Sequence, residues 1–247
     1  MRYLVLSDLH ANLTALESAM AAAEGRWERA VCLGDVVGYG PDPNEVVDCI
    51  RALQARTIRG NHDKAACGLE YAEDFNPVAR AAATWTHEQL RPDNLTFLQQ
   101  LPSGPIEADG LALVHGALHD EDEYVFAPAQ ALDGLLDSPS AVTFFGHTHF
   151  QGGFSFRENQ LEVIQLRPEA GTSFAALRVE LDTRYLLNPG SLGQPRDGDP
   201  RAAFAIADLP NRVVEFWRVP YNIEAVQQRM KRAGLPEPLI LRLAFGR

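Results

Sequence analysis

Basic residues are in short supply. Lys and Arg number 22 against 33 Asp and Glu, a formal charge of −11. So acidic a chain is not built to cover a polyanion such as long duplex nucleic acid, although a phosphorylated small molecule can still be held at a local cationic site. Cysteine is also scarce. Cys32, Cys49 and Cys67 form neither an even set nor a metal-like spacing, which argues against a disulfide framework and fits a reducing compartment. No window approaches the roughly 20 apolar residues of a membrane span. The N-terminus lacks the basic region, apolar segment and cleavage site of a signal peptide. These absences point to the cytoplasm and away from a membrane. No repeat, low-complexity stretch or linker interrupts the 247 residues, a length that suits one large domain or two small ones.

What is present is a recurring pattern. Tyr3 to Leu6 is a short apolar run that releases Asp8 and His10, and Asn12 and Thr14 then open a helical periodicity. Ala30 to Leu33 ends in Gly34-Asp35, and a helix is expected from about Asn44 to Ala52. Thr57 to Arg59 ends in Gly60-Asn61-His62-Asp63. Strand and helix alternating in this way predict a layered α/β sheet, with ligands collecting beyond the carboxyl ends of the strands.

Phe75 to Leu101 reads as mostly helical, with Pro77 and Pro92 near segment starts. Ile106 to Ala108 and Leu111 to Val114 flank an Asp109-Gly110 turn, a strong hairpin signal, and lead to His115-Gly116. Pro128 to Leu136 reads as helical, and Val142 to Phe145 delivers Gly146-His147-Thr148-His149. From Gln151 onward short strands dominate, which predicts a second, more antiparallel sheet closing a sandwich. A last helix is expected at Ile223 to Arg232. The segment 236–247 reads as an appended tail, available as a contact for a homo-oligomer.

Seven ligand-type side chains follow apolar strand candidates: Asp8, His10, Asp35, Asn61, His115, His147 and His149. Mixed His and carboxylate donors suit Zn, Mn or Fe rather than Ca. Seven are too many for one tetrahedral ion and suit two ions sharing a ligand. Asp35 is the best-placed carboxylate to bridge.

In order along the chain, D-x-H (Asp8, His10), G-D (Gly34, Asp35), G-N-H-D (Gly60 to Asp63), H-G (His115, Gly116) and G-H-T-H (Gly146 to His149) resemble the calcineurin-like metallophosphoesterases. Asn188-Pro189-Gly190-Ser191 extends the resemblance toward the small prokaryotic phosphodiesterase branch. The resemblance implies an α/β (α+β) fold: a two-sheet β-sandwich flanked by helices in four layers, here one domain over 1–247 with a helical cap-like insertion at about 69–101. It implies two divalent ions, Mn first and Fe, Zn or Ni as alternatives. One would be held by Asp8, His10, Asp35 and His149, the other by Asp35, Asn61, His115 and His147. Two such ions about 3.5–4 Å apart hold a phosphoryl oxygen and activate a bridging water as the nucleophile. His62 would protonate the leaving oxygen or bind the phosphoryl group, and Asp63 would orient the His62 imidazole and favour its cationic form.

The expected activity is phosphodiester hydrolysis on small nucleotide-type substrates. Alternatives on the same fold are a phosphoprotein or phosphomonoester phosphatase, a nuclease, which the net acidity disfavours, and a non-catalytic scaffold. Asn12 is a helix cap by type, with a site role as the alternative. Arg59, Arg196 and Arg201 are candidate phosphate contacts, and Tyr39 a candidate base-stacking ring. His87 reads as a packing histidine. His119 and the acids after it read as a solvated loop, or as partners of the ligands.

Overall fold

The computed structural model describes residues 1–70, 75–166, 168 and 172–247. Among them lie twelve strands, β1 (Arg2–Leu6), β2 (Arg29–Cys32), β3 (Arg56–Thr57), β4 (Ile106–Ala108), β5 (Leu111–Leu113), β6 (Val142–Phe144), β7 (Gly152–Arg157), β8 (Gln160–Ile164), β9 (Phe174–Arg178), β10 (Arg184–Asn188), β11 (Ala202–Asp208) and β12 (Val213–Val219). The helices are α1 (Leu13–Ala22), α2 (Pro43–Ala52), α3 (Asn61–Cys67), α4 (Pro77–Gln89), α5 (Pro92–Gln99), α6 (Pro128–Asp137), α7 (Ile223–Arg232) and α8 (Glu237–Arg242).

The strands form two six-stranded sheets, ordered β3-β2-β1-β11-β12-β9 and β4-β5-β6-β10-β7-β8. Side-chain alternation explains why the sheets stack. In β1, Tyr3 and Val5 join Ala205, Ala207 and Phe216 from the same sheet and Leu113, Phe144 and Leu187 from the other in one inter-sheet core. Leu4 and Leu6 point the opposite way, onto Leu16, Ala19, Val46, Ile50 and Leu98 of α1, α2 and α5. The outer face of the second sheet is covered by α6 through Ala131 and Leu135 against Phe154 and Leu186. The result is the four-layer helix–sheet–sheet–helix arrangement expected. Each buried Phe or Leu in these layers contributes roughly 1.5–3 kcal/mol.

Pro77 and Pro92 stand at helix starts, as does Pro128, where a missing N–H costs nothing. Asn12 caps α1 by accepting from the Ala15 amide at 3.1 Å.

Three expectations need correction. The strands after Gln151 do not make a sheet of their own. β9, β11 and β12 extend the N-terminal sheet, and β10 inserts between β6 and β7, because alternation marks a strand's faces and not its neighbours. Segment 236–247 is not a loose tail: Leu239 and Leu243 are buried with Val226 and Met230 of α7, against Ala79 and Ala82 of α4. Helix α3 was not anticipated at all. Within the expected insertion, residues 71–74 lie outside the described residues.

Both sheets are mixed, and in each the parallel strands are neighbours. β1 runs parallel to β2 and β2 to β3, while β6 runs parallel to β5 and to β10. Their carboxyl ends meet at one end of the sandwich.

Candidate metal centre

Strands β1, β2, β3, β5 and β6 release side chains at that end within a few residues. Asp8 and His10 follow β1, Asp35 follows β2, Asn61 opens α3 after β3, His115 follows β5, and His147 and His149 follow β6. Donor atoms of Asp8, His10, Asp35 and His149 lie within 4.8 Å of one another, as do those of Asp35, His115 and His147. Asn61 joins the second set, with its Oδ1 3.3 Å from His115 Nε2. Asp35 belongs to both sets through different atoms: Oδ2 is 3.6 Å from His10 Nε2 and Oδ1 is 3.6 Å from His115 Nε2. All seven sequence-predicted ligands are therefore brought together.

The backbone here is unusual. Asp8, His10, Asp35, His147 and His149 all have φ between +46 and +63°. Asp and His visit this region more readily than most residues, yet each such conformation costs on the order of 1–3 kcal/mol and persists only where its surroundings fix it. They do. The Asp8 amide bonds the Gly34 carbonyl at 3.0 Å and the His10 amide the Asp35 carbonyl at 2.9 Å. Gly60 must be glycine, since a Cβ would run into the Asp35 carboxylate.

The imidazoles are oriented by what their outer nitrogens do. His10, His115 and His149 each donate Nδ1–H to a carbonyl, of Val37 at 3.2 Å, Leu33 at 2.7 Å and Gln194 at 2.5 Å. Their Nε2 lone pairs are left facing inward. His147 is reversed: its Nε2–H donates to the Asp122 carbonyl at 3.0 Å. The bare Nε2 atoms of His10 and His149 stand 3.0 Å apart, with Asp8 Oδ1 3.3 Å from the latter. Two lone pairs and two carboxylates crowded together without a donor between them repel, and a cation relieves that repulsion. Outer nitrogens fixed by carbonyls are the usual support of metal-ligating histidine. The donor set fits divalent metal ions.

Charge states agree for His10, His147, His149 and Asp8, while Asp35 and His115 shift the other way. Burial, then the neighbouring His149, pushes His10 well below its ordinary pKa, and burial takes His147 to about 3 and also lowers His149. These rings are neutral at neutral pH, the form that binds metal. Burial raises the Asp8 carboxyl, but the His149 and His115 imidazoles and the Ser7 hydroxyl, 2.6 Å away, outweigh it and hold it low. Burial raises Asp35 well above its ordinary value, and Asp8 and Asp63 add to this against the pull of His115. His115 rises because Asp35 and Asp8 outweigh its burial.

His62 lies edge-on to His10, with ring centroids 5.0 Å apart, between Tyr39 at 4.2 Å and Phe75 at 4.8 Å. Among the described residues its buried Nδ1 has no hydrogen-bond partner. Burial and then the Arg196 charge push its pKa well down. Asp63 does not orient this ring. Its two oxygens accept from the amides of Val37 at 3.1 Å and Gly60 at 3.0 Å, so it ties the Val37 loop to the start of α3, and burial lifts it to about 6. The imidazole is accordingly held neutral rather than cationic.

The candidate substrate contacts fare unevenly. Arg59 is committed to Glu121, its Nη2 2.8 Å from Oε1, and Arg201 to Asp199. Neither is free for phosphate. Tyr39 is 7% exposed and packs between His10 and His62, which leaves no face for a base. Asn12, besides capping α1, donates to the Gly193 carbonyl at 2.9 Å and is a strut. Arg196 remains at the edge of the cluster. His87 donates to the Ala66 carbonyl as a packing residue, and His119 pairs with Asp137 at the surface.

Several contributors carried no sequence signal. Lys64, 1% exposed, holds Glu70, Glu121 and Asp122 at 2.9, 3.1 and 2.6 Å. This fastens the acidic loop whose Asp122 carbonyl supports His147. Tyr124 stacks on His147 at 3.8 Å. Asn188 donates to the Gly146 carbonyl and to Thr148 Oγ1 at 2.8 and 3.0 Å, and Ser191 Oγ donates to the Asp8 carbonyl at 2.8 Å. The Asn-Pro-Gly-Ser stretch was the one signal for these last two.

Residues 1–212 match the family model of the calcineurin-like phosphoesterase superfamily domain. The crystal structure of a metallophosphoesterase from Sphaerobacter thermophilus is similar over 100% of this chain and 99% of that one, with 39% identity and a TM-score of 0.84. An uncharacterized protein of Methanocaldococcus jannaschii is 32% identical over 98% of this chain and 97% of its own. A hypothetical protein of Pyrococcus horikoshii OT3 shares the fold, with a TM-score of 0.77 and 21% identity over 100% of this chain and 98% of its own.

Proposed function

Since the chain belongs to the calcineurin-like phosphoesterase superfamily, we propose that it is a metal-dependent phosphoesterase with two divalent ions, hydrolysing diesters of small nucleotide-type substrates. The observation that carries this reading is Asp35, whose two oxygens face two separate donor sets at 3.6 Å each. Asp8, His10, Asp35 and His149 would hold one ion, and Asp35, Asn61, His115 and His147 the other. Bound there, such ions polarise a phosphoryl oxygen and acidify a coordinated water.

The chain's own residues supply the rest. The carbonyls of Val37, Leu33, Gln194 and Asp122 hold the four ligand imidazoles in place before substrate arrives, so little reorganisation accompanies charge build-up at phosphorus. Nδ1 of His62, unlike that of His10, His115 and His149, meets no carbonyl. His62 is thus the ring left to give a proton to the departing oxygen, and an anionic substrate raises its pKa toward that task. Arg196 lies at the edge of this cluster, over the Tyr39 ring, where it can meet an anionic substrate.

Hydrolysis of bis(4-nitrophenyl) phosphate with added Mn²⁺, alongside elemental analysis, tests the proposal. Turnover should vanish in chelator and return with metal. His62→Ala should lower kcat about 10²-fold or more, the usual scale of general acid catalysis, with metal content unchanged. Wild-type activity no greater than that of His62→Ala would favour a binding scaffold. A phosphopeptide cleaved better than a cyclic nucleotide would favour a phosphatase.

A further inference from the structure

A pair of half-buried arginines beside the cluster has no carboxylate partner among the described residues. Arg196 donates through Nη2 and Nε to Gln194 Oε1 at 3.1 and 3.4 Å, and Arg242 of α8 donates through Nη1 to the same oxygen at 3.3 Å. Two half-buried guanidiniums thus converge on one neutral amide oxygen. Among the described residues neither forms an ion pair, whereas Arg59, Arg201, Arg218 and Arg229 each meet a carboxylate. In a chain of charge −11, acid is not what is missing. The repulsion is real: burial, and then the Arg196 charge, lowers the Arg242 pKa. Gln194 is 1% exposed, and among the described residues its buried Nε2 has no hydrogen-bond partner.

The pair adjoins the metal ligands. The Arg196 amide bonds the His149 carbonyl at 3.3 Å, and its guanidinium lies 5.8 Å from the centre of the Tyr39 ring, which touches His10 and His62. A hollow of about 340 Å³, lined by Tyr39, Asn76, Arg242 and Arg247 among others, opens next to it.

We propose that Arg196 and Arg242 form a second anion subsite, which binds a further phosphoryl group of a substrate whose scissile phosphate sits at the Asp and His cluster. This rests on the phosphoesterase reading above and narrows it to nucleotide-type diesters that carry a further phosphoryl group, with ADP as a two-phosphoryl probe of the paired sites. Planar guanidiniums match phosphate oxygens in pairs, and the anion supplies the counter-charge that the protein withholds. The subsite also gives α8 a role, since it delivers Arg242.

Calorimetric titration of AMP and ADP into the Mn²⁺-loaded protein, at fixed free Mn²⁺, reads the subsite without requiring turnover. Wild type should bind ADP about tenfold or more tightly than AMP, the scale of a charge-assisted contact. Arg242→Met and Arg242→Gln should each bring the ratio to within about threefold of unity, leaving AMP affinity and bis(4-nitrophenyl) phosphate hydrolysis unchanged. Two replacements of different shape guard against a local folding defect. A wild-type ratio near one, or a ratio that survives both substitutions, would overturn the subsite. Absence of diester hydrolysis would instead count against the enzymatic reading, with the binding ratio still measured.

Discussion

Residue by residue, the site is a set of commitments made far along the chain. Lys64 shows this best. A lysine just past a helix start is ordinarily solvated, yet this one is enclosed by Glu121 and Asp122, 57 and 58 residues away, with Glu70. Removing one member of a fully buried ion pair costs about 3–5 kcal/mol. Glu70 and Asp122 stay half exposed here, so Lys64→Met should cost about 2 kcal/mol, read as a lower urea midpoint in chelator. Because the same loop carries the Asp122 carbonyl, the variant should also bind Mn²⁺ more weakly, and Lys64→Arg should recover part of both losses. The seven ligands were legible because donor types follow apolar runs in a known order. The fates of Arg59, Tyr39 and Asp63 were not, because each was decided by a partner that sequence proximity does not reveal: Glu121, the rings of His10 and His62, and the amides of Val37 and Gly60.

At the scale of elements, glycine at a strand end is what lets two loops approach. A Cβ on Gly146 would strike Ser7 Oγ and stand 3.0 Å from Asp8 Oδ2. Gly146→Ala should therefore displace Asp8 and weaken Mn²⁺ binding about tenfold or more, together with an overpacking loss of about 1–3 kcal/mol. Metal titration and thermal melting in chelator separate the two effects. Helices α2, α4, α5 and α6, with proline at their starts, were readable in advance, as were strands with clean apolar runs, whereas α8 was read as a tail. Nor was helix α3 readable. Its sequence, NHDKAAC, has no apolar periodicity, and its opening residues double as ligand and cap, so chemistry masked structure. Sheet order was equally hidden, since β11 carries no mark saying that it lies beside β1.

Across the whole molecule, the ligand cluster makes stability depend on pH. His10, His62, His147 and His149 have depressed pKa values when folded. Below about 6.5 the unfolded chain takes up four protons that the folded chain refuses. Asp35 and Asp63, raised when folded, oppose this with two, and His115, also raised, opposes it only above about pH 6.5. The unfolded state binds more protons between about pH 6.5 and 4, so stability falls as pH falls through that window. The melting temperature in chelator should drop from pH 7 to pH 4.5. Added Mn²⁺ should raise it at pH 7 and do less at pH 5, where protons compete for the imidazoles. A flat profile in chelator would contradict the buried neutral histidines.

The pairing of β1 with β11, from Arg2 opposite Asp208 to Val5 opposite Ala205, has a consequence for biosynthesis. β1 is synthesised long before β11, so its second edge stays uncovered until β11 follows. The loop bearing Asp8 and His10, held early by Gly34 and Asp35, gains its bonds from Ser191 and Gly193 only then. A fully braced metal site therefore awaits the segment that leads into β11, and nascent chains stopped short of β11 present a bare strand edge to chaperones.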